Sequence, residues 1–375
     1  MARIVDVYGR YSLGSGAVLK NPDTVWSAVA DPDVLASYEG SMRQDLMKAG
    51  IAVERLRDWH VMDVGTGRQA LVFLGMGAQR VSHFDISAEN VERLSAYLSE
   101  ANIGDRLTTR CCDLVTTDLG REQYDLVYLN GIVQHFSDVG RGLENCVRAV
   151  KPDGYLWLYF YRSGTFDNFM LYMLRDLVHG SNVASDPAVL REYFLASVMT
   201  YAEDARKNYL SSIFMDGVFT RYARLYTPAT YLRFADACGL EVVSSSGLDP
   251  LGRDVDHYFA RAATVVTLRK ARGQVDLSKG RALLAPEHEV NQLDPALYDD
   301  PEILRTIELY RQMRARLASP SVPRSATVMV VLRMFHFLAS KTRAAGYDIP
   351  HRHRDIQAVL ENINRLLADE YPGGG

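Results

Sequence analysis

Residues 60 to 69 read HVMDVGTGRQ, an apolar stretch that ends in an acid and runs into a glycine turn, and residues 81 to 87 read VSHFDIS, a second apolar stretch tipped by an acid. Nothing else in the chain restricts its fold as tightly. A strand that stops at Asp63 and bends through Gly65 and Gly67 can turn sharply and let a ligand approach its backbone closely. Asp85, about 20 residues further on, is placed to accept hydrogen bonds from both hydroxyls of a ribose. Together they predict a strand–turn–helix–strand unit with a nucleotide-like cofactor at its edge.

The turn matches a dinucleotide site poorly. The third small residue of G-x-G-x-x-G, which lets a helix close on a pyrophosphate, falls on Ala70 or Leu71. Read as D-x-G-x-G, Asp63 to Gly67 resembles the first motif of the class I S-adenosylmethionine-dependent methyltransferases, with Gln69 where many members carry one more glycine. That cofactor has no phosphate to bind.

Further segments follow in the order that this resemblance implies. After a helix expected over Asn90 to Asn102, RLTTRCCDL reads as a third strand, YDLVYLNGIVQHFSD (Tyr124 to Asp138) resembles the fourth strand and its loop, and VRAVKPDGYLWLYFY (Val147 to Tyr161) resembles a helix, a Pro-Asp-Gly turn and the fifth strand. The resemblance implies S-adenosyl-L-methionine as cofactor, held by Asp63, Gly65, Thr66, Gly67, Asp85, Ile86, Cys112, Asp113, Leu114, Asn130 and Gly131. Within that set Asp113 would read the adenine amino group. Asp63 would hold the ammonium group, or tie down the glycine turn, or do both.

Composition narrows the setting. A chain of 375 residues exceeds the usual size of one domain, and 47% apolar with 23% charged residues is ordinary for a soluble globular protein. VVTLRK and MVVLRMFHFLA are too short to span a bilayer and are broken by cations. The first residues, with Arg3, Asp6 and Arg10, hold no segment of signal-peptide type, so a cytoplasmic protein is expected. A net charge of −4 offers no general attraction to nucleic acid, so neither nucleic acid nor membrane is an expected partner. Cys111, Cys112, Cys146 and Cys238 lack metal-ligand spacing, and His83, His257, His351 and His353 lack acidic or thiol partners, so no metal is expected.

The expected fold is α/β: a Rossmann-like, seven-stranded, mostly parallel sheet sandwiched by helices, with a helical cap insertion and a helical C-terminal extension. Residues 1–56 read as an N-terminal helical arm or lid, with Asn21 and Asp31 as helix caps, Gly50 as a stop, and Tyr8, Tyr11 and Tyr38 facing the site or covering the sheet. Residues 57–161 read as the cofactor-binding core, 162–226 as the cap, and 227–270 as the end of the core. There Thr227 and Pro228 open a helix before a sixth strand at GLEVV. By resemblance, TVVTLRK would be an antiparallel last strand between the fifth and sixth. Residues 271–375 read as the extension: a polar linker to residue 300, then helices over Pro301 to Ala318, Arg324 to Ala345 and Asp355 to Glu370, with Tyr347 to Pro350 as a break. The middle helix is apolar most of the way round, which predicts burial against the main domain or another copy, as in a homodimer.

For the chemistry, His135 lies just past the fourth strand, where open α/β sheets place their ligands, and is the candidate general base. Tyr161, Arg162, Asp216, Tyr222, Arg224 and Tyr226 are the candidate acceptor-binding residues. Tyrosines among arginines suit an aromatic, amphipathic or anionic acceptor, or simply pack helices. The expected reaction is methyl transfer to O, N or an activated carbon of a small metabolite, including those of specialised metabolism. A peptide or protein acceptor, a nicotinamide-dependent oxidoreductase and a non-catalytic scaffold of the same fold remain as alternatives.

Overall fold

The computed structural model describes residues 32–163, 166–180, 218, 222–246, 263–272, 276–341 and 349–372. Helix α1 (Pro32–Lys48) is followed by strand β1 (His60–Val64), α2 (Arg68–Gly75), β2 (Arg80–Asp85), α3 (Ala88–Glu100), β3 (Leu107–Cys111), β4 (Tyr124–Asn130), α4 (Val139–Ala149) and β5 (Val150–Tyr161). After α5 (Phe166–His179) come α6 (Pro228–Ala237), β6 (Leu240–Ser246), β7 (Ala263–Lys270), α7 (Leu277–Leu283), α8 (Pro301–Leu317), α9 (Arg324–Lys341) and α10 (Ile349–Glu370). By its internal contacts the chain forms two units: residues 1–163 with 220–290, and residues 164–219 with 291–375.

The first unit is built on the expected seven-stranded sheet, in the order β3-β2-β1-β4-β5-β7-β6. Neighbours from β3 to β5 run parallel, and β7 lies antiparallel between β5 and β6. The apolar runs of the central strands follow from cover on both faces. Successive side chains point to opposite sides, so Met62, Val127 and Leu129 enter one core with Leu143, Phe160 and Phe234. Val61, Leu126 and Tyr128 enter the other, with Phe73, Leu94 and Trp157. Tyr128 and Trp157 stack there at 4.0 Å, and Phe73 meets Tyr128 edge-on at 5.1 Å.

Local signals set the helix starts. Ser87 accepts from the Asn90 N–H to cap α3, Asp138 accepts from Arg141 to cap α4, and Thr227 accepts from Thr230 to cap α6, which Pro228 opens. Lys151 to Gly154 fall at a register shift between β4 and β5, where Asp153 takes φ +63°. Gly50 ends the α1 region at φ +69°, and Asn21 and Asp31 lie outside the described residues.

Residues 271–300 are not merely a polar linker. Asp276 accepts from the Lys279 N–H and starts α7, and Gly280 packs so closely on α6 that a Cβ there would stand 2.2 Å from the Cys238 sulfur. A helix this short, with glycine inside it, shows no hydrophobic period to read.

In the second unit, α5 supplies a buried face of Phe169, Met170, Met173, Leu174 and Leu177. Asp176 on α5 accepts from the Tyr310 hydroxyl and, at 2.8 Å, from the Arg314 guanidinium, both on α8. Helix α10 starts at Ile349, earlier than the sequence suggests, because Pro350 is tolerated in a first turn. Among the described residues no helix is long and apolar enough to cross a membrane.

Candidate functional site

The strand order reverses between β1 and β4, so the loops leaving the carboxyl ends of β1, β2 and β4 meet where open α/β sheets place their ligands. Asp63, next to the last residue of β1, is fully buried. Its Oδ2 accepts from the Ala70 N–H at 3.0 Å, pinning the first turn of α2, while its Oδ1 is buried with no hydrogen-bond partner among the described residues. Burial pushes this carboxyl up to about 7; the Ala70 and Val64 N–H groups pull the other way, and the charge on Asp85 adds to the rise. Gly65 and Gly67 take φ +121° and +82°, and a Cβ on Gly67 would stand 2.8 Å from a Leu94 methyl. Only glycine meets both demands at residue 67.

Asp85 ends β2, and Oδ1 accepts from the Ser87 N–H at 2.9 Å while Oδ2 accepts from the Asn90 amide at 2.7 Å. Burial raises its carboxyl to about 6, tempered by those two bonds and the Ile86 N–H. A carboxylate has about four lone-pair directions, so two hydroxyls can still be accepted. Next to it, the Cys112 N–H donates to the Asp85 carbonyl at 2.8 Å, which joins the loops after β2 and β3. Asp113 accepts from the Val115 N–H at 2.9 Å, and Asn145 on α4 donates to the carbonyls of Leu114 and Val115. Cys112 is partly buried and its thiol is raised, first by burial.

Past β4, the Gly131 N–H donates to the Tyr159 carbonyl at 2.9 Å, with Asn130 paired to Tyr159 in the sheet. Gln134, fully buried, donates its amide to the Gly131 carbonyl at 2.6 Å and faces His135 Nε2 at 3.1 Å. His135 Nδ1 lies 2.8 Å from the Tyr222 carbonyl. A carbonyl can only accept, so Nδ1 carries the proton and Nε2 presents its lone pair.

Tyr161 meets His135 edge-on at 6.4 Å and Tyr159 at 6.2 Å. Tyr222 lies under the Arg224 guanidinium at 5.0 Å, and Arg224 is ion-paired with Glu289 at 2.7 Å. His135, Tyr161, Tyr222 and Arg224 are therefore brought together beside the β4 loop. Tyr226 and Arg162 are placed differently from the sequence expectation that they contact an acceptor. Tyr226 is fully buried, with its hydroxyl on the Leu284 carbonyl at 2.9 Å, and Arg162 is 1% exposed and bridged to it along the backbone. Burial lowers the Arg162 guanidinium from its ordinary value. Asp216 lies outside the described residues, as do Tyr8 and Tyr11; Tyr38 packs against the core on one face of the sheet and accepts a 2.8 Å hydrogen bond from Arg68, just past the turn. Among the described residues no group of acids, cysteines and histidines could hold a metal ion.

Sequence reading missed three residues that hold these loops: His83, Gln134 and Asn145. His83 is 1% exposed, with Nε2 at 2.6 Å from the Gly65 carbonyl and Nδ1 at 2.8 Å from the Thr109 hydroxyl, and burial lowers its imidazole to about 4. All three act on backbone carbonyls, which no motif records.

Residues 62–158 match the family model described as a methyltransferase domain. A curated relative from Nitrobacter winogradskyi, named as a ubiquinone biosynthesis O-methyltransferase, is 30% identical over 96 residues, which is 25% of this chain and 35% of that protein. Another of the same name from Bradyrhizobium is 28% identical over 156 residues, 39% of this chain and 60% of that protein. The chain thus spans about a third to three fifths of the length of these relatives. Among solved structures, an S-adenosylmethionine-dependent methyltransferase from Mesorhizobium loti is 18% identical, with 61% of this chain and 97% of that one covered and a TM-score of 0.39. A putative sarcosine dimethylglycine methyltransferase from Galdieria sulphuraria is 12% identical, covering 63% and 85%, with a TM-score of 0.40.

Proposed function

We propose that this chain, an enzyme whose residues 62–158 form a class I S-adenosylmethionine-dependent methyltransferase domain, methylates a hydroxyl oxygen of a small aromatic metabolite. The observation that carries the cofactor assignment is the Asp63 carboxyl, buried at the foot of the glycine turn with Oδ1 lacking a hydrogen-bond partner among the described residues. A buried acceptor left unsatisfied is costly, and a cationic ammonium group is the partner that would satisfy it best. The rest of the site fits the same group: Asp85 retains acceptor capacity for ribose hydroxyls, and Asp113 follows β3 where an adenine edge would lie.

Bound there, S-adenosylmethionine supplies a methyl group already activated for displacement, so alignment and exclusion of water are the protein's main tasks. The His135, Tyr161 and Tyr159 rings, in edge-on contact one after the other, offer an aromatic surface suited to a flat acceptor. His135, anchored through Nδ1 on the Tyr222 carbonyl, takes the acceptor's hydroxyl proton at Nε2 once the acceptor displaces the Gln134 amide. The relatives' printed names favour oxygen over nitrogen or carbon as the receiving atom.

Calorimetric titration with S-adenosylmethionine and, separately, NADH tests the cofactor. Binding of NADH alone would overturn the assignment. Transfer of labelled methyl into cell extract, separated into small-molecule and protein fractions, tests the acceptor: label in protein alone would replace the metabolite reading by a protein substrate.

A further inference from the structure

We infer that His83 is a positioning residue of the cofactor site: by holding the Gly65 carbonyl inward, it aims the Thr66 N–H outward as a hydrogen-bond donor to an oxygen of the bound cofactor. This rests on the cofactor assignment above and adds a residue to it.

The strand register puts Asp63, His83 and Thr109 side by side on β1, β2 and β3, so their side chains form one row beneath the glycine turn. Within that row the hydrogen-bond directions are determined. The Gly65 carbonyl can only accept, so His83 Nε2 carries the proton; Nδ1 of the neutral ring then accepts from the Thr109 hydroxyl.

Two bonds fix the peptide plane that follows. The Gly65 N–H donates to the Phe84 carbonyl at 3.0 Å, which secures the entry to the turn, and His83 secures the carbonyl on the other side of the same residue. The Gly65–Thr66 peptide is trans. In a planar trans peptide the C=O and the next N–H point in opposite directions, so a carbonyl drawn down to His83 sends the Thr66 N–H up and away from the sheet. Thr66 is partly exposed, and among the described residues no acceptor takes its N–H. Without His83 the plane can rotate about ψ of Gly65 and φ of Thr66, because a glycine, having no Cβ, restrains that turn least.

The test uses the full chain and four proteins: wild type, His83→Gln, His83→Leu and Thr109→Val. Glutamine has an amide N–H for the Gly65 carbonyl and an oxygen for Thr109, whereas leucine has neither. S-adenosylmethionine and S-adenosylhomocysteine are titrated calorimetrically into each, with the melting temperature and the turnover at saturating donor measured alongside. His83→Leu should weaken both ligands by about tenfold with saturated turnover kept within about twofold, as expected for one lost hydrogen bond in the bound state. His83→Gln should restore binding to within about twofold of wild type, and Thr109→Val should fall between. Unchanged ligand affinity in His83→Leu with a lowered melting temperature would show that the ring merely packs, and would overturn the inference. If His83→Leu does not fold, Thr109→Val decides: affinity equal to wild type overturns it, and weakened affinity upholds it. Wild-type protein that binds neither ligand defeats the cofactor assignment itself, a result distinct from a variant that binds as well as wild type.

Discussion

Asp63 holds a carboxyl where burial favours the protonated acid, and its titration gives the site a pH dependence. Its value of about 7 in the folded chain stands above the ordinary 3.8, so between these the native state holds a proton that the unfolded chain has released. Raising the pH through that window therefore removes stability, and the loss is complete above about 7. Asp63→Asn keeps an oxygen for the Ala70 N–H and cannot ionise. Relative to wild type, the ligand-free variant should gain about 1–3 kcal/mol by about pH 8, and it should bind S-adenosylmethionine about tenfold more weakly because the counter-charge is gone. Denaturant melts across the window and calorimetry check both; a difference that stays flat with pH would rule out Asp63 as the titrating group. His135 makes a different prediction. His135→Ala should lower turnover by about a hundredfold while leaving donor affinity within about twofold, and steady-state kinetics with an unaltered rate would exclude it as the base.

At the scale of elements, α7 is held by a contact that tolerates no side chain. Gly280→Ala would drive a methyl group into the Cys238 sulfur, and about 2 kcal/mol of destabilisation is expected, much of it recovered in the Gly280→Ala, Cys238→Ala double variant. Thermal melts of the four-member cycle check this. The same contact explains why α7 was not legible: its stability lies in a long-range fit, not in a period of its own seven residues. The sheet was legible because each strand announces itself locally, by an apolar run and a turn, and because Asp63, Asp85 and the two glycines stand at fixed distances from strand ends. His83, Gln134 and Asn145 were not, since their partners are the carbonyls of Gly65, Gly131 and Leu114. Every residue offers a carbonyl, so the sequence marks none of these as special. Tyr226 misled for a related reason: a tyrosine beside arginines reads the same whether its hydroxyl meets a ligand or, as here, the Leu284 carbonyl.

At the scale of the whole molecule, the residues proposed to hold the cofactor all belong to the first unit, and the second is a helical assembly with its own core. Asp176 serves that core by accepting from both Tyr310 and Arg314. Asp176→Ala should lower stability by about 1–2 kcal/mol, the smaller value reflecting solvent around the ion pair. Because none of the residues proposed to hold the cofactor is touched, S-adenosylmethionine affinity should not change, which calorimetry beside a thermal melt would check. The second unit is also interleaved in the chain, its first part preceding residue 220 and its remainder following residue 290. During synthesis, then, the Phe169, Met173 and Leu177 face of α5 leaves the ribosome long before α8 and α9, which pack on α5, exist. A nascent chain paused within that interval displays a greasy ridge without its mate, and is the species on which chaperones would act.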